Sequence, residues 1–332
     1  MSTPGASIPI GVYRGRGCGI AAIGVYEKFI GRDVQKVVDF MAEEPASWAQ
    51  FENGTLTGTT DVSVWQDVLG QRQLALAVPA CCGASAGSGG TTWAGEADGV
   101  NDAHWQALGN NLIALGLGGA LLRIGREFNG DWYPWQVAEG GQQSYIAGYR
   151  HVVTVLRGLP GAAFRFCWNP TLGVGNLTKN GAESCYPGDG YVDEIGVDLY
   201  DWTQKNSTGA EIYPGSAANT TTAQQQQVLD IMLTQWDSLR GWYSFALSHG
   251  KALSFPEWGL VLWSTGSRYL GGGDNAVFVR AMADFICGCS LIGWHAMWED
   301  PWGAGVCDPD TEPGRPIPAP MSRAAFLEAF GS

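Results

Sequence analysis

Basic residues, histidine and long apolar runs are scarce in this chain. It contains 19 Lys and Arg against 32 Asp and Glu, a formal net charge of −13. An acidic surface gains nothing from a nucleic-acid backbone or an anionic membrane, so both are excluded as partners. No apolar run reaches the roughly 18 residues of a membrane span, and residues 1–5 show neither the basic nor the apolar segment of a signal peptide, so we expect neither feature. We expect a soluble protein that acts outside the cell or on the surface of a virion or cell.

The motifs of several enzyme classes are also missing. No His-Glu-x-x-His metal motif and no phosphate-loop signature occurs, and the four histidines are scattered. A Gly-x-Ser-x-Gly pattern at 83–87 is followed by a Gly/Ser loop where a hydrolase elbow would begin a helix. The glycines at 15–19 lack the third glycine of a dinucleotide site. We therefore expect no metal and no cofactor.

The eight cysteines leave the redox compartment open. Cys81–Cys82 and Cys287–Gly288–Cys289 lack the C-x-x-C spacing of zinc sites. Cys167 and Cys185 could form a disulfide across a long loop or remain free thiols.

Short apolar runs alternate with amphipathic segments along the whole chain. They predict strands at 10–13, 47–51, 74–78, 120–124, 163–168, 195–200, 252–255 and 291–298. Helical spacing between these runs implies parallel pairing with right-handed crossovers. Eight such strands predict a closed (β/α)8 TIM barrel, which needs about 250 residues. An open doubly wound sheet is the alternative.

The intervening segments give the expected helices and loops. Asp33 is predicted to cap a helix that runs to Met41, Asp61 caps another, and one long helix carries apolar residues from Leu229 to Leu247. A single catalytic domain is expected over 1–332. Its long loops after the strands are predicted at 82–99, 171–190, 203–221 and 300–320.

Two carboxylates stand at predicted strand ends. Glu127 follows the fourth run and Glu257 follows the seventh, 130 residues later. In a barrel the carboxyl ends of the strands share one rim, where the chemistry lies. A pair of carboxylates, one protonated and one ionised, is what the cleavage of a glycosidic bond requires. The pairing therefore predicts a glycoside hydrolase. Glu299 or Asp300, after the eighth run, is the alternative second carboxylate.

The sequence around these glutamates resembles a known family. R-x-x-R-E-F-N-G-D-W-Y-P-W around Glu127 and F-P-E-W-G around Glu257 are similar to glycoside hydrolase family 26, which contains retaining β-mannanases, lichenases and β-1,3-xylanases with a (β/α)8 fold. The resemblance covers roughly 10–298. It implies that Glu127 is the acid/base and Glu257 the nucleophile. It also implies that Tyr200, in a D-x-Y-D segment from Asp198, orients the nucleophile.

Further residues are candidates for binding sugar. Arg123 shares the inward face of its strand with Glu127 and could either keep Glu257 ionised or form a structural ion pair. Asn129 could bind a sugar hydroxyl or only form an Asn-Gly turn. Indole rings near strand ends could stack on a pyranose. The full set of expected substrate-binding residues is Arg123, Arg126, Asn129, Trp132, Trp135, Trp168, Asp198, Tyr200, Trp258 and Trp298. Of the histidines, His295 in the eighth run is the best placed for a role.

One residue departs from the family pattern. Arg126 stands where the family has His before the acid/base. A permanent cation there would lower the pKa of Glu127 unless Arg126 is engaged elsewhere. Two hypotheses follow. The first is a retaining endo-β-glycosidase that acts on β-mannan, a related β-glycan or a microbial envelope or capsule polysaccharide. The second is a carbohydrate-binding barrel that has lost its chemistry.

Overall fold

Eight parallel strands close on themselves in the computed structural model. It describes residues 5, 7–80, 92–173, 177, 181–213, 215, 220–234, 238–261, 264–265, 268–299 and 319–332. The barrel strands are β1 Ile10–Tyr13, β2 Lys36–Phe40, β3 Gln73–Val78, β4 Leu121–Ile124, β5 Arg165–Trp168, β6 Glu194–Gly196, β7 Ala252–Gly259 and β8 Ile292–Trp298. Each pairs in parallel with the next, and β8 pairs with β1. The closed barrel is thus confirmed, and the open sheet is excluded.

Helices surround the barrel. They are α1 Gly19–Ile30, α2 Trp48–Glu52, α3 Trp93–Ala97, α4 Asp102–Ala114, α5 Gln142–Arg157, α6 Thr222–Thr234, α7 Leu239–Ser248, α8 Ala276–Gly288 and α9 Pro320–Phe330. Short strand pairs lie at Thr55–Thr57 with Thr60–Asp61 and at Ser264–Thr265 with Arg268–Tyr269, and Leu199–Tyr200 extends the barrel by pairing with β7. No helix in the described ranges is long and apolar enough to cross a membrane.

The strands separate two apolar layers. On β4, Leu122 and Ile124 pack in the layer between barrel and helices, whereas Leu121 points into the barrel. The interior layer also holds Tyr13 and Phe40, near the carboxyl ends of β1 and β2. Because side chains alternate along a strand, Arg123 faces the interior with Leu121. This alternation agrees with the prediction, and it brings polar side chains to the end of the barrel at which the carboxyl ends of the strands lie.

The prediction failed over the second strand. Residues 36–40 form β2, not the helix expected from Asp33 to Met41, and the helix precedes them as α1. All five residues of β2 are buried, because this strand packs on both faces. The apolar residues Val34, Val37, Val38 and Met41 have helical spacing, so this short segment carries no period that separates strand from helix. The strand expected at 47–51 is instead α2, and its N-cap Ser47 accepts a hydrogen bond from the Gln50 N–H.

Two further expectations are corrected. The predicted long helix is two helices, α6 and α7, with Ser238 capping α7. Cys167 and Cys185 are free thiols, so the disulfide alternative is wrong. Cys167 lies in the barrel interior and Cys185 in the layer between barrel and helices, which separates the two sulfurs. The segment 83–87 lies outside the described residues, as do parts of all four predicted long loops.

Candidate active site

A cavity of about 570 Å³ opens at the carboxyl ends of the strands. It is lined by Tyr13, Arg16, Phe40, Glu43, Arg126, Glu127, Trp132, Tyr133, Tyr200, Trp202, Glu257 and Trp298. A neighbouring cavity of about 400 Å³ shares Glu127, Trp132, Tyr200 and Trp202 with it. The two cavities therefore form a cleft that continues on both sides of Glu127.

Glu127 lies in the loop after β4 and has an unusual backbone conformation. Its φ is +52°, in the left-handed region that few non-glycine residues adopt. Its N–H donates to the Asn169 carbonyl at 2.6 Å, and its own carbonyl accepts from the Gly130 N–H at 2.9 Å. Its Oε2 accepts from Trp132 Nε1 at 3.0 Å. The carboxyl group is thereby fixed at the cleft.

Asn129 connects this loop with the one after β5. Its Nδ2 donates to the Thr171 carbonyl at 2.9 Å, and its Oδ1 accepts from the Thr171 N–H at 2.9 Å. The side chain is buried and does not line either cavity. The structure thus places Asn129 in a backbone bridge and a tight turn, so the sugar-binding alternative has no support.

Glu257 lies on β7 and is held from three directions. Arg123 donates to its Oε1, Tyr200 Oη donates to its Oε2 at 2.8 Å, and Arg126 Nε lies 3.5 Å from Oε1. The guanidinium of Arg123 also donates to Asp198 Oδ2 at 2.7 Å. The expected contacts of Arg123 and Tyr200 with Glu257 are therefore present.

The two glutamates have opposite electrostatic environments. Burial, and then the negative charge of Glu257, raise the pKa of Glu127 to about 7. Burial would also raise the pKa of Glu257, but the guanidinium groups of Arg123 and Arg126 outweigh it and hold that pKa below its ordinary value. One carboxyl group is thus half protonated near neutral pH while the other is ionised. This is the division of roles that the sequence analysis expects of an acid and a nucleophile.

Arg126 is engaged with groups other than Glu127. Its Nη2 donates to Tyr133 Oη at 2.7 Å and to Glu43 Oε1 at 3.2 Å. Its guanidinium lies 4.6 Å from the ring centroids of both Phe40 and Tyr133. Its charge does lower the pKa of Glu127, but burial and Glu257 have the larger effect. The condition set by the sequence analysis, that Arg126 be engaged elsewhere, is met.

Asp201 anchors the segment that carries Tyr200 and Trp202. Its carboxylate accepts hydrogen bonds from Tyr213 Oη at 2.6 Å and from Asn275 Nδ2 at 2.9 Å. Because Asp201 is buried and held by these hydrogen bonds, its neighbours in sequence are fixed at the cavity wall.

The five candidate tryptophans divide into two groups. Trp132 and Trp298 line the cavity, and Trp132 is 54% exposed. Trp135, Trp168 and Trp258 are buried in the layer outside the barrel and are corrected to core residues, because an indole enclosed by protein cannot stack on a sugar. On a strand, Trp258 points away from the interior that Glu257 faces.

The other expected positions lie away from the cleft. Trp258 Nε1 donates to His295 Nδ1 at 3.3 Å, and burial lowers the pKa of His295 to about 3. This histidine is therefore a neutral core residue. Glu299 is buried and lines neither cavity. Asp300 lies outside the described residues.

Several cavity residues escaped the sequence analysis. They are Tyr13, Arg16, Phe40, Glu43 and Tyr133. Tyr13 ends β1 and could have been found by applying the strand-end rule to every strand. Phe40 was missed because its segment was predicted to be a helix, and no local sequence pattern marks Glu43.

Among the described residues, no group of three or more His, Cys, Asp or Glu could hold a metal ion.

Sequence comparison identifies one family and one curated relative. Residues 111–230 match the model of Glycosyl hydrolase family 26. Endoglucanase H of Acetivibrio thermocellus is 33% identical over 119 residues, which are 34% of this chain and 13% of that protein. The chain thus corresponds to a small part of this relative. The segment that matches the family model contains Glu127 and Tyr200 and ends before Glu257.

Solved structures resemble the whole chain. An endo-β-1,4-mannanase double mutant from Cellulomonas fimi has a TM-score of 0.62 and 17% identity, covering 98% of this chain and 71% of that one. The catalytic domain of an endo-β-1,4-mannanase from Bacillus sp. JAMB-750 has a TM-score of 0.61 and 17% identity, covering 98% and 86%. At this identity the likeness shows the fold.

The placement of the tryptophans predicts unequal contributions to stability. Trp258→Ala should lower the free energy of unfolding by about 3–5 kcal/mol, because it removes a buried indole and leaves a cavity. Trp132→Ala, the control, should change it by no more than about 0.5 kcal/mol, because its ring is largely exposed. Urea unfolding monitored by circular dichroism measures both. Equal losses in the two variants would contradict the placement.

Proposed function

We propose that this chain is a member of glycosyl hydrolase family 26 and that it hydrolyses a β-linked polysaccharide with retention of configuration. The match of residues 111–230 and the barrel shared with the two mannanases support the family. The observation that carries the proposal is the pair of carboxyl groups at one cavity, Glu127 with a raised pKa and Glu257 with a lowered one.

The first chemical step uses both carboxyl groups. A Glu257 carboxylate oxygen forms a bond to the anomeric carbon, and the bond from that carbon to the glycosidic oxygen breaks. Glu127 gives its proton to the departing oxygen, so the leaving sugar departs as a neutral alcohol. Arg123 and Tyr200 hold the Glu257 carboxylate during the attack. A covalent glycosyl ester at Glu257 results.

The second step reverses the role of Glu127. Now ionised, its carboxylate takes a proton from water while the water oxygen bonds to the anomeric carbon. The ester bond breaks, and Glu257 recovers its electron pair as a carboxylate. Its pKa, held low by two guanidinium groups, makes it a suitable leaving group. Two displacements at one carbon restore the original anomeric configuration.

The shape of the cleft supports an internal site of cleavage. The two cavities meet at Glu127, Trp132, Tyr200 and Trp202, so the chain of a polymer can extend in both directions from the catalytic pair. Trp132 and Trp298 offer indole faces to sugar rings. β-Mannan is the first candidate substrate because both structural relatives are named as β-1,4-mannanases. Mixed-linkage glucan, β-1,3-xylan and a microbial envelope polysaccharide are the alternatives.

A non-catalytic sugar-binding barrel is the weaker alternative. This alternative depends on Arg126 keeping Glu127 ionised. Arg126 instead contacts Glu43, Tyr133 and Glu257. The raised pKa of Glu127 favours a working acid. The alternative predicts retention of polysaccharides without new reducing ends.

Isosteric replacement of either glutamate should abolish most activity. Glu127→Gln and Glu257→Gln should each lower turnover by about 10²-fold or more, because each removes one partner of the displacement. The assay measures new reducing ends from β-mannan, mixed-linkage glucan, β-1,3-xylan and bacterial capsule preparations. Glu139→Gln, a change at an exposed residue in the loop after β4, is the control and should leave turnover unchanged. Near-normal turnover in either active-site variant would contradict the assignment.

The stereochemistry of the first product tests the nucleophile. Proton NMR of the newly formed reducing end, recorded before mutarotation, should show the β-anomer, because two displacements preserve configuration. An α-anomer would mean that Glu257 activates water directly, and the covalent step would then be wrong.

The two pKa values predict a bell-shaped pH profile. Glu127 must be protonated, so kcat/KM should fall as the pH rises through about 7. Glu257 must be ionised, so the acid limb should lie below the ordinary carboxyl pKa. Initial rates from pH 3 to 10 measure both limbs. A profile still rising above pH 8 would contradict the role of Glu127.

A further inference from the structure

An acidic residue outside the catalytic pair forms part of the cavity wall. Glu43, in the loop after β2, accepts hydrogen bonds at Oε1 from Arg126 and from Arg16. Its pKa is lowered, because the charges of Arg126 and Arg16 outweigh the effect of burial. Glu43 is therefore an ionised partner of Arg126, and the reaction steps described above do not use it.

The contacts of Arg126 fix its direction as well as its charge. Glu43 and Tyr133 both accept a hydrogen bond from Nη2, and the guanidinium lies over the rings of Phe40 and Tyr133. The remaining edge, at Nε, faces Glu257 Oε1 at 3.5 Å. The side chain thus points toward the nucleophile although its backbone directly precedes the acid.

This arrangement affects whether Glu127 is protonated or ionised beside the charge of Arg126. A buried guanidinium attracts any carboxylate within reach, and attraction to Glu127 would stabilise its ionised form. A second anion bonded to Arg126 reduces that attraction and also anchors the group that would otherwise turn toward Glu127. Glu43 meets both requirements, since it is ionised and bonded to Nη2.

We propose that Glu43 is a positioning residue that holds Arg126 toward Glu257 and balances its charge, so that Glu127 retains the proton it donates. The inference rests on the proposed function for its catalytic meaning. Its physical content, the effect of Glu43 on the ionisation of Glu127, can be measured without a substrate.

The charged and titratable groups that act on Glu127 come from several elements. They are Arg123 on β4, Arg126 and Tyr133 after it, Asp198 and Tyr200 near β6, and Glu257 on β7, while the neutral indole of Trp132 acts by its hydrogen bond. Arg126 also forms an ion pair with Glu43 after β2, and Glu43 forms a second ion pair with Arg16 after β1. The sign is therefore clear for single changes. Removing the negative charge of Glu43 makes the surroundings of Glu127 more positive and lowers the pKa of Glu127. Removing the positive charge of Arg126 has the opposite effect and raises that pKa.

Titration of the carboxyl carbon of Glu127 tests the proposal. Protein labelled with ¹³Cδ-glutamate is followed by NMR from pH 4 to 9, and the Glu127 resonance is identified by its loss in Glu127→Gln. In Glu43→Gln the pKa of Glu127 should fall by about half a unit to one unit. The matched control is Glu44→Gln, which makes the same charge change at the neighbouring exposed residue and should leave the value unchanged.

A double-mutant cycle separates positioning from a direct field. In the Arg126→Gln background, Glu43→Gln should shift the pKa of Glu127 by less than half as much, because its intermediary is gone. An equal shift in both backgrounds, or no shift in Glu43→Gln itself, would overturn the proposal. Circular dichroism checks folding. Should Arg126→Gln fail to fold, Arg126→Met replaces it as the background of the same cycle, and the shift caused by Glu43→Gln should again be less than half as large.

The pH profile of the reaction supplies the link to function. Glu43→Gln should move the alkaline limb of kcat/KM to lower pH by the amount that NMR reports. A role of Glu43 only in binding sugar would raise KM and leave the limb in place, which would count against the proposal. If no polysaccharide is cleaved by any form of the protein, the proposed function fails while the NMR result still decides the role of Glu43.

Discussion

The guanidinium of Arg123, buried inside the barrel, connects three neighbouring strands. It donates to Asn169 after β5 at 2.5 Å, to Asp198 after β6 and to Glu257 on β7. A buried cation is costly unless anions and acceptors surround it, so these elements must lie close together for the barrel to be stable. The same Asn169 accepts, through its carbonyl, the N–H of Glu127. One buried cation thereby sets the position of both carboxyl groups.

The cleft is asymmetric around that cation. Arg123 and Arg126 both approach Glu257, whereas the carboxyl group of Glu127 accepts from the neutral indole of Trp132. Two buried glutamates consequently differ in their tendency to hold a proton. The difference in pKa arises from the placement of charge rather than from exposure. The ionised Glu257 increases it, because its negative charge makes ionisation of Glu127 less favourable.

The sequence predicted the barrel well because its strands carry their signal locally. β3, β4 and β8 are short apolar runs bounded by polar or glycine-rich segments, and their predicted limits agree with the structure to within two residues. β2 failed because Lys36–Phe40 is buried on both faces, so its apolar spacing fits a helix equally well. The strand-end rule placed Glu127 and Glu257 at the same cavity.

Side-chain surroundings were less predictable. The direction of a residue beyond the end of a strand depends on loop geometry, and neighbouring tryptophans illustrate this. Trp132 lies at the cleft while Trp135, three residues on, is buried with its Nε1 bonded to the Arg126 carbonyl. Glu43 is 83 residues from Arg126 in sequence, and no periodicity relates the two. Such contacts require the closed barrel before they can be foreseen.

The left-handed backbone of Glu127 has a consequence for anyone who transplants this loop. A non-glycine residue in that region costs about 1–3 kcal/mol and persists only where its surroundings enforce it. Here the enforcement comes from Asn169 and Thr171, on the adjacent strand end, through the Glu127 N–H and the Asn129 side chain. The segment after β4 is thus not a self-sufficient module. Grafted onto a foreign barrel without the segment after β5, it would relax to an ordinary conformation and aim its carboxyl group elsewhere.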